Sequence, residues 1–110
     1  MKISKELLKG TGATLVLSVL EKQDLYGYVI IRELEQRSET VFSMNEGTLY
    51  PILHALEAER YLEAYWEECD GRKRKYYHIT KKGLRELAEK KEEWTVYANA
   101  VQKVLNYQPV

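Results

Sequence analysis

One cysteine, Cys69, is all the chain carries, so no intrachain disulfide can form, which suits a reducing compartment. In a chain read this way Cys69 is a chance residue, with thiol sensing the lesser reading. Histidine is nearly as scarce: His54 and His78 share no spacing typical of a metal site or a catalytic triad. An enzyme reading is therefore left without machinery, and no cofactor or metal is expected. No apolar run reaches the roughly 18 residues of a membrane span, and the start, Met1 to Lys5, lacks a secretory apolar core. A soluble, cytoplasmic protein with no membrane partner is the expectation. Net charge is also missing, at 17 basic against 17 acidic residues, which excludes a uniformly basic nucleic-acid binder. At 110 residues, one small domain is expected, with a modest core that a second copy would extend.

The charge that is absent overall is present locally. From Glu57 to Asp70 six acids stand against Arg60 alone, and from Arg72 to Lys82 six bases stand against no acid. Because salt screens charges beyond about 8–10 Å, phosphates sense such a patch more than the total. Aromatic segments over 61–68 and 74–79 flank Asp70–Gly71, a short-turn signal, and predict a two-stranded wing with a basic tip. Tyr61, Tyr65, Trp66, Tyr76 and Tyr77 read as strand packing, whereas Arg72, Lys73 and Arg74 are the candidates for phosphate contact.

Helical periodicity covers most of the rest. Leu8, Leu15, Val16, Val19 and Leu20 give a first helix over 5–22 one apolar face. Its opposite stripe, Leu7, Thr11, Thr14 and Ser18, is small and partly polar, a surface on which another helix could lie, with Gly10 and Gly12 nearby. A break at Gln23–Asp24 precedes a second helix over 25–37, and Val41–Phe42 reads as a short edge strand. Ser43 and Glu46 hold the spacing of a capping box for a third helix, with Asn45 as the alternative cap. Leu49, Ile52, Leu53 and Leu56 face the core, which leaves Ser43, Asn45, Thr48 and Tyr50 near the amino end, and His54 one turn on, to meet DNA. Pro51 lies inside this helix, and Gly47, whose carbonyl its ring would strike, is the residue that yields most readily.

Thr80 caps a last helix of about 26 residues, far above the three-turn average. Leu84, Lys91, Ala98 and Leu105 recur every seventh residue, as do Leu87, Trp94 and Val101, giving an a/d-type seam for a partner helix. Trp94 is an interface anchor or the wall of a small apolar cleft between subunits. Lys91 on that seam would snorkel to solvent or meet an acid such as Glu21 or Glu6. The organisation expected is a DNA-binding domain over 1–80 and a dimerisation helix over 81–110.

Taken together, three groups of residues resemble the PadR family of bacterial transcriptional regulators: Leu25–Ile30, then Gly47–Pro51 with Leu53, Leu56 and Glu57, and Gly71, Arg72, Arg74–Tyr77, Thr80 and Gly83. The resemblance covers roughly the whole chain. It implies a mainly α fold with a small β-hairpin wing (α+β), a winged helix-turn-helix joined into a homodimer by the carboxyl-terminal helix, and repression at a palindromic operator on double-stranded DNA. It also implies a place for a small, flat aromatic effector beside Trp94, with Lys91, Thr14 and Ser18 as the other candidates. Lys91 argues against a purely apolar pocket and fits an anionic aromatic better. The competing reading keeps the fold and drops specific DNA binding, making the acidic stretch from Glu57 to Asp70 a protein-docking surface.

Overall fold

The computed structural model describes residues 1 and 3–110, in the order α1 (Lys5–Val19), β1 (Leu25–Tyr26), α2 (Gly27–Arg37), α3 (Glu46–Ala58), β2 (Leu62–Cys69), β3 (Arg72–Ile79) and α4 (Lys81–Leu105). The strands form one antiparallel sheet in the order β1-β3-β2, so the wing carries a third, two-residue strand. Leu25 and Tyr26 are not the first turn of a helix, as periodicity suggested. They pair with Tyr77 and Tyr76, and helical backbone begins only at Gly27. Burial of Leu25 against the core and pairing with the edge of β3 outweigh the helical pattern, and α2 begins at Gly27 even though Tyr26 gives it no side-chain cap. The first helix likewise stops at Val19, three residues short of the expected end, where Leu20 takes the cap and polar residues follow. Val41 and Phe42 form no strand; the Phe42 amide donates to Ser38 Oγ at 2.9 Å.

Apolar faces of α1, α2 and α3 meet over the inner face of the sheet. Val16, Leu17, Leu20, Ile30, Leu49, Leu53, Leu62 and Tyr77 are the buried centre, with Leu87 of α4 joining them at 1% exposure. Leu17, which lay outside the predicted stripe, is fully enclosed, while Leu8 is only half-buried. Thr80 anchors α4: its hydroxyl accepts from the Gly83 amide at 3.0 Å and donates to the Arg60 carbonyl at 2.8 Å. Beyond Leu87 the helix leaves the core. The radius of gyration, 15.9 Å, exceeds the roughly 13 Å of a compact chain this long, and the molecule measures 65 × 31 × 21 Å.

Two helix ends use residues other than glycine in the left-handed region. After α3, the Tyr61 amide donates to the Leu56 carbonyl and the Arg60 amide to that of Glu57, a Schellman closure that puts Arg60 at φ 63°. After α2, Thr40 to Glu35 and Glu39 to Gln36 make the same closure, with Glu39 and Thr40 at φ 53° and 66°. A β-carbon is disfavoured there. Arg60→Gly should therefore stabilise the protein by about 0.5–1 kcal/mol, read as a raised thermal midpoint; a lowered midpoint would show that the arginine stem contributes more than the strain costs.

Candidate nucleic-acid interface

The amino end of α3 is closed by Asn45, not by a capping box from Ser43. Asn45 Oδ1 accepts the Thr48 amide at 2.9 Å, and Glu46 is the first helical residue, so Ser43 lies exposed two residues outside the cap. A cap must have extended backbone immediately before the helix, and Asn45, at φ −100° and ψ 173°, has it. With its oxygen committed to the helix, Asn45 keeps its amide nitrogen for an outside acceptor. Thr48 and His54 are exposed, and Leu49, Leu53 and Leu56 are buried beneath them. The Tyr50 ring lies across the start of α2. A β-carbon on Gly27 would stand 3.3 Å from its hydroxyl, so the glycine permits close crossing of the two helices. Helix α3 runs through Pro51, which is exposed.

Asp70 and Gly71 make the two-residue hairpin turn with φ 49° and 77°, the pair of positive values that a type I′ turn requires. Pairing then brings the acidic strand against the basic one: Glu67 faces Arg74, Glu68 faces Lys73, Trp66 faces Lys75 and Cys69 faces Arg72. The two charge runs that look separate in sequence thus offset each other in space. Lys75 reaches Glu57 on α3 at 3.6 Å, which ties the wing to that helix. Arg74 is not a free cation of the tip. Its guanidinium lies 4.4 Å from the Tyr26 ring centre, and its Nε is buried without a hydrogen-bond partner. Arg72, opposite a cysteine, and Lys73 are the exposed basic residues of the tip.

Asp24 carries no sequence signal of a role, yet from the link between α1 and β1 it reaches both wing strands. One carboxylate oxygen accepts from the Tyr65 hydroxyl at 2.7 Å, and the other meets His78 Nδ1 at 2.8 Å. Burial pushes the Asp24 carboxyl up, but its hydrogen bonds with His78 and Tyr65 outweigh this and hold it below the ordinary carboxylate value. The same bond, with burial second, pushes the Tyr65 phenol up to about 12. Tyr65 stacks on Tyr76, which meets Tyr26 edge-on, so these rings pack the outer face of the sheet as the periodicity predicted. Trp66 departs from that expectation: strand parity puts it on the other face, and it is 66% exposed.

The sequence model of the transcriptional regulator PadR-like family matches residues 16–89, from the last turn of α1 into α4. The chain belongs to this family. A protein of Lysinibacillus sphaericus is 36% identical over 93 residues, covering 84% of this chain and 85% of the relative. A transcriptional regulator from Clostridium thermocellum superposes with a TM-score of 0.85 at 30% identity, covering 90% of this chain and 97% of that one. A PadR-family regulator from Eggerthella lenta gives 0.82 at 35%, covering 94% and 88%. PadR-family members are transcriptional regulators that act on DNA, not enzymes, and four helices with a three-stranded antiparallel sheet make this chain one of their winged-helix folds. None of its helices is long and apolar enough, among the described residues, to cross a membrane.

In this PadR-family chain the residues of the predicted seam divide. Leu87 belongs to the protomer's own core, while the seam is open at Leu84 before it and from Lys91 onward. Trp94 is half exposed against Tyr97 at 6.0 Å, Ala98 and Val101 are half-buried, and Leu105 is exposed. Leu84 and Leu7 are exposed, and Thr11, Thr14 and Ser18 half-buried. Lys91 Nζ donates to Glu21 at 3.2 Å, the first of the two acids considered for it. The candidate effector residues do not line one common hollow of the chain. Ser18 lines a polar hollow of about 340 Å³ with Glu21, Lys22 and Arg37. Tyr97, Ala100, Val101, Val104 and Leu105 line a separate apolar hollow of about 270 Å³, and Trp94 borders neither.

Proposed function

We propose that the protein is a homodimeric repressor that binds a palindromic operator, with α3 of each subunit in a major groove and each wing on flanking phosphate. The observation that carries this reading is the pairing of a short polar surface on α3, Asn45, Thr48 and Tyr50, with a wing whose exposed tip, Arg72 and Lys73, is fastened to the same helix through Lys75 and Glu57. Dimerisation is supported by the distal half of α4, where Trp94, Tyr97, Val104 and Leu105 stand open to solvent on an arm that leaves the core. An aromatic effector would act between subunits near Trp94, by favouring one spacing of the two reading heads over another.

The test is fluorescence anisotropy with the protein's own promoter region and a scrambled duplex across a salt series. Tight, selective binding by one dimer per site is expected. Arg72→Ala with Lys73→Ala should weaken binding to both duplexes and, at two lost contacts per wing, flatten the log–log salt slope by roughly 3–4. Equal, weak binding to both duplexes would favour the protein-docking alternative, and an unchanged salt slope would remove the wing tip from the interface.

A further inference from the structure

Trp66 is a large apolar side chain that the protomer leaves outside its core. It is 66% exposed, whereas Tyr77, one residue along the same face of the partner strand, is 2% exposed. No aromatic ring among the described residues stacks on it, in contrast to the linked Tyr26, Tyr65 and Tyr76 on the opposite face. Its cross-strand partner is Lys75, Lys73 is its diagonal neighbour, and Ala64 and Glu68 flank it on its own strand. Lys75 reaches Glu57 of α3, so the face that carries Trp66 is the one turned toward the recognition helix.

From this placement we infer that Trp66 is a DNA-contacting residue of the wing, packing its indole on the sugar–phosphate backbone beside the groove that α3 enters. The inference rests on the DNA-binding reading above. Lys73 faces Glu68 across the strands and Lys75 is bridged to Glu57, so acids stand close to both cations that neighbour Trp66, and charge is not all that this face offers a DNA backbone. An indole supplies what they do not: a flat apolar surface for deoxyribose and an N–H donor for a phosphate oxygen. Arg72, at the tip and opposite Cys69 rather than an acid, supplies the charge that brings the strand to the backbone. Sequence periodicity assigned Trp66 to the sheet because it could not tell an aromatic facing a neighbouring ring from one facing solvent.

Two readouts separate this role from a structural one. Trp66→Ala should lower affinity for promoter and scrambled duplexes alike by roughly tenfold, about 1.4 kcal/mol, while leaving the salt slope as in the parent. The unliganded variant should melt near the parent temperature. In protein labelled with 5-fluorotryptophan, with the Trp66 resonance assigned by its loss in Trp66→Phe, that resonance should shift and lose its solvent-isotope effect when duplex is added. Saturable DNA binding with an unchanged Trp66 resonance and undiminished affinity in Trp66→Ala would overturn the inference and leave the proposed function standing. Protection of Trp66 that instead rises with protein concentration, without DNA, would overturn it by assigning the face to a contact between copies. If no duplex binds at all, both readings fall together.

Discussion

Gly83→Ala should destabilise the protein by about 2–3 kcal/mol, although alanine is by itself the better helix former. A β-carbon at Gly83 would overlap the carbonyl of Tyr61 and stand 2.8 Å from Ile79 Cγ1. The obstacle is backbone, and that carbonyl already accepts the Thr80 amide at 3.0 Å, so it cannot swing aside without loosening the start of α4. Helix propensity returns up to about 1 kcal/mol of the overpacking cost, which is why the net figure is not larger. At this size the loss corresponds to a fall of roughly 10–20 °C in the thermal midpoint. Gly10→Ala is the control. Nothing lies within 4 Å of its β-carbon, and the same propensity gain should raise the midpoint slightly. Circular dichroism melts of the two variants decide the matter: if Gly83→Ala melts with the parent, the crossing of α4 over Tyr61 is looser than described.

Val101→Glu should break the proposed dimer while sparing the protomer. Val101 sits in the apolar hollow with Tyr97, Ala100, Val104 and Leu105, on the part of α4 that has left the core, and glutamate is a good helix former. In a two-fold seam each copy would bring a carboxylate into an apolar contact, and an uncompensated buried charge costs about 3–5 kcal/mol. Dimer dissociation should rise at least hundredfold in sedimentation velocity, with the melting of dilute protomer little changed. Operator affinity should fall further than the salt-dependent, non-selective binding of a single head, because the second half-site loses its high effective concentration. A variant that stays dimeric would move the interface away from this hollow, toward Leu7, Leu84 and the small stripe of α1.

Features whose determinants are local are legible in the chain itself. The Asp70–Gly71 turn, the Thr80 cap and the apolar stripe of α3 each depend on residues within one or two turns of one another, and all stand in the structure. Where two local signals compete, spacing alone misleads: Ser43 with Glu46 satisfies the capping-box spacing, but backbone geometry selects Asn45. Leu25 and Tyr26 carried a helical pattern, and their strand pairing depended on β3, some 50 residues away. The site divides in the same manner. The candidate residues on α3 and the exposed tip cations Arg72 and Lys73 can be picked out along the chain, whereas Asp24 and the exposure of Trp66 cannot, because each follows from strand parity and from which elements meet across the sheet.

By itself, the sequence determined the family, the winged-helix class, the place of the turn and the excess length of the last helix, since period, turn chemistry and caps act over short chain distances. Tertiary structure alone decided how charge is distributed. The acidic and basic runs are consecutive in the chain, and antiparallel pairing lays Glu67 and Glu68 beside Arg74 and Lys73, draws Lys75 to Glu57 and commits Arg74 to the Tyr26 ring. It also placed Leu87, which heptad spacing puts on a partner-facing seam, in the protomer's core. A charge or a methyl group acts on whatever lies within a few ångströms in space, and for these residues those neighbours are set by the fold and not by their spacing in the chain.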